Sequence, residues 1–87
     1  MYFVYILKSK LDHSFYIGQT NDLNRRLLYH NDGKSRYTSR KIPWEIVYFE
    51  KFNTRKDAIF REKFLKKQRN TEFYNRLIKN WSGSSVG

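Results

Sequence analysis

The sequence predicts an α+β fold, a small three-stranded antiparallel sheet flanked by helices in the order β-β-α-β-α-α. Three observations predict it. "YFVYILKS" (2–9) and "SFYIGQ" (14–19) are β-branched and aromatic runs joined by the turn chemistry of "KLDHS", which makes a hairpin. "WEIVYFEKF" (44–52) is a third such run, with one wetter face. The segments between and after these begin with helix-capping residues, so helices must cover the sheet.

Taken in order, the first run has no polar interruption and fits a central strand buried on both faces. A four-residue loop, Lys10–His13, pairs Ser9 with Ser14 and sets Tyr5 and Tyr16 diagonally on one face of the sheet. Thr20, Asn21 and Asp22 offer N-cap side chains for a helix running to about His30. "NDGKSRYTSRKIP" (31–43) reads as a polar, basic loop closed by the only proline. Thr54 and Asp57 form a capping-box pattern that opens a helix over 55–68. Asn70 and Thr71 cap a last helix, "EFYNRLIKNW". One domain over 1–81 is expected, followed by a disordered tail over 82–87 that has nothing to bury.

Eighteen Lys and Arg against eight Asp and Glu give a formal charge of +10 on 87 residues. Such a surplus calls for a polyanionic partner, with nucleic acid first and an anionic membrane surface second. No helix joins a broad apolar face to a cleanly basic one, which argues against the membrane. The run "MYFVYIL" is too short to span a bilayer and has no basic segment before it, so a cytoplasmic protein is expected. The absence of cysteine excludes disulfides and thiolate metal sites. A monomer is the default.

Charged residues fall in places that need explanation. On the first helix Leu23 and Leu27 define the inward face; Arg26 and His30, four apart, sit on its flank, while Arg25 points toward water. Arg26 either lays its stem over apolar surface or presents a cation at the core's edge. His30, near the helix end, either complements the macrodipole or joins Arg26 in a site. On the second long helix, Ala58, Leu65 and Glu62 share one narrow arc, which places a carboxylate within the apolar stripe. An unpaired buried carboxylate is expensive, so Glu62 needs a cation. That cation is an arginine or a lysine in an ion pair, with Arg26 as one such partner, a hard divalent metal, or each in turn. Gly18 either marks a strand end or lets another backbone or a ligand approach closely.

These residues resemble a known family. "VYIL", then "YIG" eleven residues after its tyrosine, then "NDLNRRLLYH", is similar to the GIY-YIG nuclease superfamily, in particular its small stand-alone bacterial members. The likeness covers residues 2 to about 68. Tyr16-Ile17-Gly18 is the second motif verbatim, whereas the first begins with Phe3-Val4 in place of glycine and isoleucine. The resemblance implies hydrolysis of DNA phosphodiesters with a divalent metal, Mg²⁺ or Mn²⁺. It also implies Tyr5 and Tyr16 as motif tyrosines, Arg26 as the essential arginine, His30 in support and Glu62 as metal ligand. On this reading a tyrosine, Tyr5 ahead of Tyr16, helps remove the proton of the attacking water or orients that water. To act as a base it needs nearby cationic charge to lower its pKa, and Gly18 clears space for the substrate backbone. Lys34, Arg36, Arg40 and Lys41 would track phosphates, with DNA ahead of RNA. The alternative is a module of the same fold that binds DNA or RNA without cutting.

Overall fold

The computed structural model describes residues 1–86, and Gly87 lies outside the described residues. The last helix runs through Val86, into the stretch over 82–87 for which the sequence predicts a disordered tail. Six main elements follow in the expected order: β1 (Tyr2–Ser9), β2 (Phe15–Thr20), α1 (Leu23–Asn31), β3 (Trp44–Phe52), α2 (Arg55–Gln68) and α3 (Thr71–Val86). A short 3₁₀ turn, Thr38–Lys41, lies within the segment that the sequence presents only as a loop.

The three strands form an antiparallel sheet in the order β2-β1-β3. The hydrophobic β1 is therefore central, as its unbroken apolar run requires. The Ser9 N–H donates to the Ser14 carbonyl at 2.8 Å, which fixes the hairpin register. Tyr5 then lies opposite Gly18, with Tyr16 opposite Leu7 and diagonal to Tyr5. Between β1 and β3 the register shifts after Ile6. Without that irregularity, strict alternation would put Ile46 and Tyr48 on one face; the shift pairs Ile46 with Leu7 and Tyr48 with Ile6 instead.

Alternation along β1 divides the core into two. Val4 and Ile6 pack with Ile17, Tyr48, Ala58, Leu65 and Tyr74 beneath α2 and α3. Tyr5 and Leu7 pack on the other face with Trp44, Leu23, Leu27 and Ile46 beneath α1. The helix starts follow their capping residues. Asp22 accepts from the Arg25 amide, Thr54 from that of Asp57, and Asn70 from those of Glu72 and Phe73. At the end of α2, Arg69 takes a left-handed conformation at φ 45°. Its N–H donates to the Tyr74 hydroxyl, which in turn donates to the Leu65 carbonyl at 2.6 Å. One phenol thus closes α2 and ties α3 to it.

β3 is locked to α2 by a second polar cluster. Arg61 binds the Glu50 carboxylate through two nitrogens at 3.0 Å, and Tyr48 donates to the same carboxylate. Burial, followed by that contact with Glu50, pushes the Tyr48 phenol up to about 12. No described helix is long and apolar enough to cross a membrane.

Candidate functional site

The α1 face of the sheet carries the site. Tyr5 projects from central β1 and is almost fully buried. It fits there because of Gly18: a Cβ at that position would lie 2.5 Å from the Tyr5 hydroxyl and 2.8 Å from Cζ. The space that the sequence assigns to an approaching substrate backbone admits this phenol.

The plainer reading of His30, a charge at a helix end, gives way to burial: its side chain is fully buried beneath α1. Nε2 lies 3.1 Å from the Tyr5 hydroxyl and Nδ1 lies 2.9 Å from the Thr38 hydroxyl. Both ring nitrogens are thus hydrogen-bonded, and the ring also stacks edge-on to Tyr16 with centroids 4.9 Å apart. Burial, reinforced by the Arg26 charge, lowers the imidazole to about 4. His30 is neutral at pH 7, with one nitrogen donating and the other accepting.

Thr38 completes this chain, and sequence reasoning missed it. Its hydroxyl meets His30 while its carbonyl accepts from the Trp44 indole N–H at 2.8 Å. Asn31 holds the neighbouring backbone, donating to the Trp44 carbonyl and accepting from the Trp44 N–H. The only sequence signal for Thr38 was its place before a tryptophan in a polar loop, too weak to distinguish it from Ser35 or Ser39.

Arg26 lies beside Tyr5, as its flank position on α1 implies, with its guanidinium 4.3 Å from the Tyr29 ring centroid. Its buried Nε has no hydrogen-bond partner. Arg25 is exposed, although both arginines border a 260 Å³ cleft at the start of α1 with Asn21, Asp22 and Tyr29. The helix-face argument separates their environments, but both residues line the same cleft. For the Tyr5 phenol, burial outweighs the lowering influence of Arg26, and Tyr16 and Glu62 add to the rise; its pKa stands near 12. The expected depression of this pKa by cationic charge is reversed, because a neutral phenol suits a dry site better than a phenolate.

Glu62 is close enough for its charge to act on Tyr5. Its ion-pair partner is Lys66 on the same helix, at 2.9 Å, rather than Arg26. The Glu62 side chain is 17 % exposed, so the apolar stripe of α2 only partly encloses it. The described residues include no group of three or more His, Cys, Asp or Glu able to hold a metal ion. A single carboxylate still suits Mg²⁺, which keeps most of its waters and takes remaining ligands from substrate phosphate.

Among the loop cations, Lys34, Arg36 and Arg40 are exposed. Lys41 is engaged within the protein, with its ammonium 3.1 Å from Asp12 and 2.9 Å from the Ser14 hydroxyl. That contact raises the Lys41 pKa, while hydrogen bonds from Ser14, aided by Lys41, hold Asp12 well below the usual carboxylate range. A 540 Å³ groove runs between Arg36, Tyr37, Arg40 and Lys41.

Tyr5, Tyr16, Arg26 and His30 thus gather on one sheet face with Glu62 near them, in the order and spacing of one motif set. Residues 1–75 match the GIY-YIG catalytic domain. The chain belongs to the GIY-YIG family. It is 43 % identical over 67 residues to UPF0213 protein YazA of Bacillus subtilis, covering 76 % of this chain and 67 % of that one. It is 46 % identical over 68 residues to UPF0213 protein CPE1444 of Clostridium perfringens, covering 77 % and 72 %. The solution NMR structure of the UPF0213 protein BH0048 from Bacillus halodurans matches with TM-score 0.54 and 32 % identity, covering 91 % and 84 %. The GIY-YIG family is a nuclease family that acts on nucleic acids, and the sheet and helices of this chain are similar in fold to the UPF0213 structure.

Proposed function

We propose that this protein is a metal-dependent endonuclease that hydrolyses DNA phosphodiester bonds in the cytoplasm. The observation that carries this reading is the company of Arg26: a half-buried guanidinium with an unpartnered Nε, set between Tyr5 and Tyr29. An arginine meant only to cover apolar surface would extend its head into water. One held beside two phenols offers a preorganised cation to the charge that develops on non-bridging phosphate oxygens.

The neutral Tyr5–His30–Thr38 chain holds protons in place around that cation. In the free protein Tyr5 is protonated, so it orients the attacking water as a hydrogen-bond partner. It accepts a proton only after substrate has changed the charge around it. Tyr16, less buried than Tyr5, lies against His30 and bounds the same site from β2. Glu62 would hold Mg²⁺ or Mn²⁺, which supplies Lewis-acid charge at the phosphate and a more acidic water. Lys34, Arg36 and Arg40 would follow the backbone on either side of the cut.

Incubation with branched, nicked and linear DNA plus Mg²⁺ or Mn²⁺ tests the proposal, with Glu62→Ala as the comparison. Cleavage by wild type and its loss in Glu62→Ala are expected. Binding without cleavage on every substrate would favour the non-catalytic module.

A further inference from the structure

Tyr37 is 54 % exposed, a large apolar ring left in water on a loop of cations. It forms a wall of two clefts at once. One is the 540 Å³ groove with Arg36, Arg40 and Lys41; the other, of 370 Å³, includes Tyr16 and Lys66. Its ring lies 6.1 Å from that of Tyr16 and tilts from it by only 31°, so the two phenols form a step leading to the site. Lys41 is 5.5 Å from the Tyr37 ring centroid but is tied to Asp12 and Ser14, and it braces the ring instead of reaching outward.

A groove that only followed a duplex backbone would need cations and hydrogen-bond donors; an exposed aromatic wall would cost apolar hydration and contribute nothing. Beside two free guanidinium groups, the ring suits a nucleotide whose base stacks while its phosphates meet Arg36 and Arg40. Bases inside a duplex are already stacked on both faces, so such a base must be out of the helix. We infer that the groove at Tyr37 is a subsite for one unstacked nucleotide next to the scissile phosphate. Its substrates then carry an unpaired base there, in a single strand, a flap or a locally opened duplex.

This inference rests on the nucleic-acid reading above, and its test separates the two. Binding of an oligothymidylate is compared with binding of an abasic strand of the same length at one ionic strength, because the two differ in bases and not in phosphates. Wild type should prefer the oligothymidylate by about tenfold or more. Tyr37→Leu, which keeps apolar bulk but removes the ring, should lose that preference while still binding the abasic strand as wild type does. Tyr37→Phe should keep it. Equal binding of both strands by wild type, or a preference that survives in Tyr37→Leu, would overturn the subsite and leave the nucleic-acid reading standing. Failure to bind either strand at low salt would overturn both.

Discussion

The Tyr5 hydroxyl and Nε2 of His30 meet at 3.1 Å where neither side chain has appreciable contact with water. Burial acts on the two in opposite directions, up to about 12 for the phenol and down to about 4 for the imidazole. Between those limits the pair is uncharged. The positive charge of the site is left to Arg26, which acts on both groups. A phosphate arriving at Arg26 is therefore met by a cation whose neighbours, Tyr5 and His30, are neutral and hydrogen-bonded to each other.

The His30 shift makes stability depend on pH. An imidazole in the unfolded chain titrates near 6.5, against about 4 in the folded protein. Between these values the unfolded chain binds more protons, so stability contributed above pH ~6.5 is lost as pH falls toward 4. Thermal melts should show the melting temperature of wild type falling across that window. His30→Gln, with nothing to titrate, should fall less steeply there. Parallel curves would mean that another group is responsible.

Gly18 is fixed by the phenol opposite it. An alanine Cβ would stand 2.5 Å from the Tyr5 hydroxyl, so either the ring or β2 must move. Gly18→Ala should cost about 1–3 kcal/mol in urea unfolding, the usual range for overpacking. In a Tyr5→Ala background the same substitution should cost little, since the clash is gone. Equal costs in the two backgrounds would show that the glycine matters for some other reason.

Much of this was legible because it is local. The Lys10–His13 loop sets the hairpin register, and with it the diagonal of Tyr5 and Tyr16. The caps at Thr54 and Asn70 mark their helices, and the flank position of Arg26 follows from Leu23 and Leu27. What was not legible depends on contacts across the fold. Thr38 and Tyr37 sit in a segment without periodicity, and only folding carries them to His30 and Tyr16. The Tyr5 pKa rises because neighbours remove water, which a list of nearby cations does not reveal. The lysine that pairs with Glu62 is legible in the i,i+4 spacing of Glu62 and Lys66, whereas a contact across the fold, such as one to Arg26, is not.

Arg25 and Arg26 should separate in a cleavage assay even though they share a cleft. Arg26→Ala removes the guanidinium beside Tyr5 and should lower cleavage by about a hundredfold or more, while binding falls much less. Arg26→Lys should rescue little, because an ammonium cannot offer the planar fork to phosphate. Arg25→Ala should leave cleavage near wild type. Equal losses in Arg25→Ala and Arg26→Ala would mean that the shared cleft, and not the neighbourhood of Tyr5, decides the chemistry.

Glu50 and Glu62 present two half-buried carboxylates with different prospects. Glu50 is held by Arg61 through two nitrogens and by Tyr48, so it has no capacity left for a metal. Glu62 has only Lys66, an i,i+4 partner that is itself 53 % exposed. Such a pair contributes about 0.3–0.5 kcal/mol, so a cation can displace it at small cost. Without metal, Glu62→Gln should therefore melt close to wild type. Arg61→Ala, which strands Glu50, should lose about 1–3 kcal/mol. Adding Mg²⁺ or Mn²⁺ should raise the melting temperature of wild type and of Arg61→Ala by mass action, but not that of Glu62→Gln. A wild type indifferent to metal, or a Glu62→Gln variant strongly destabilised in its absence, would place Glu62 with Glu50 among the residues that hold the fold together.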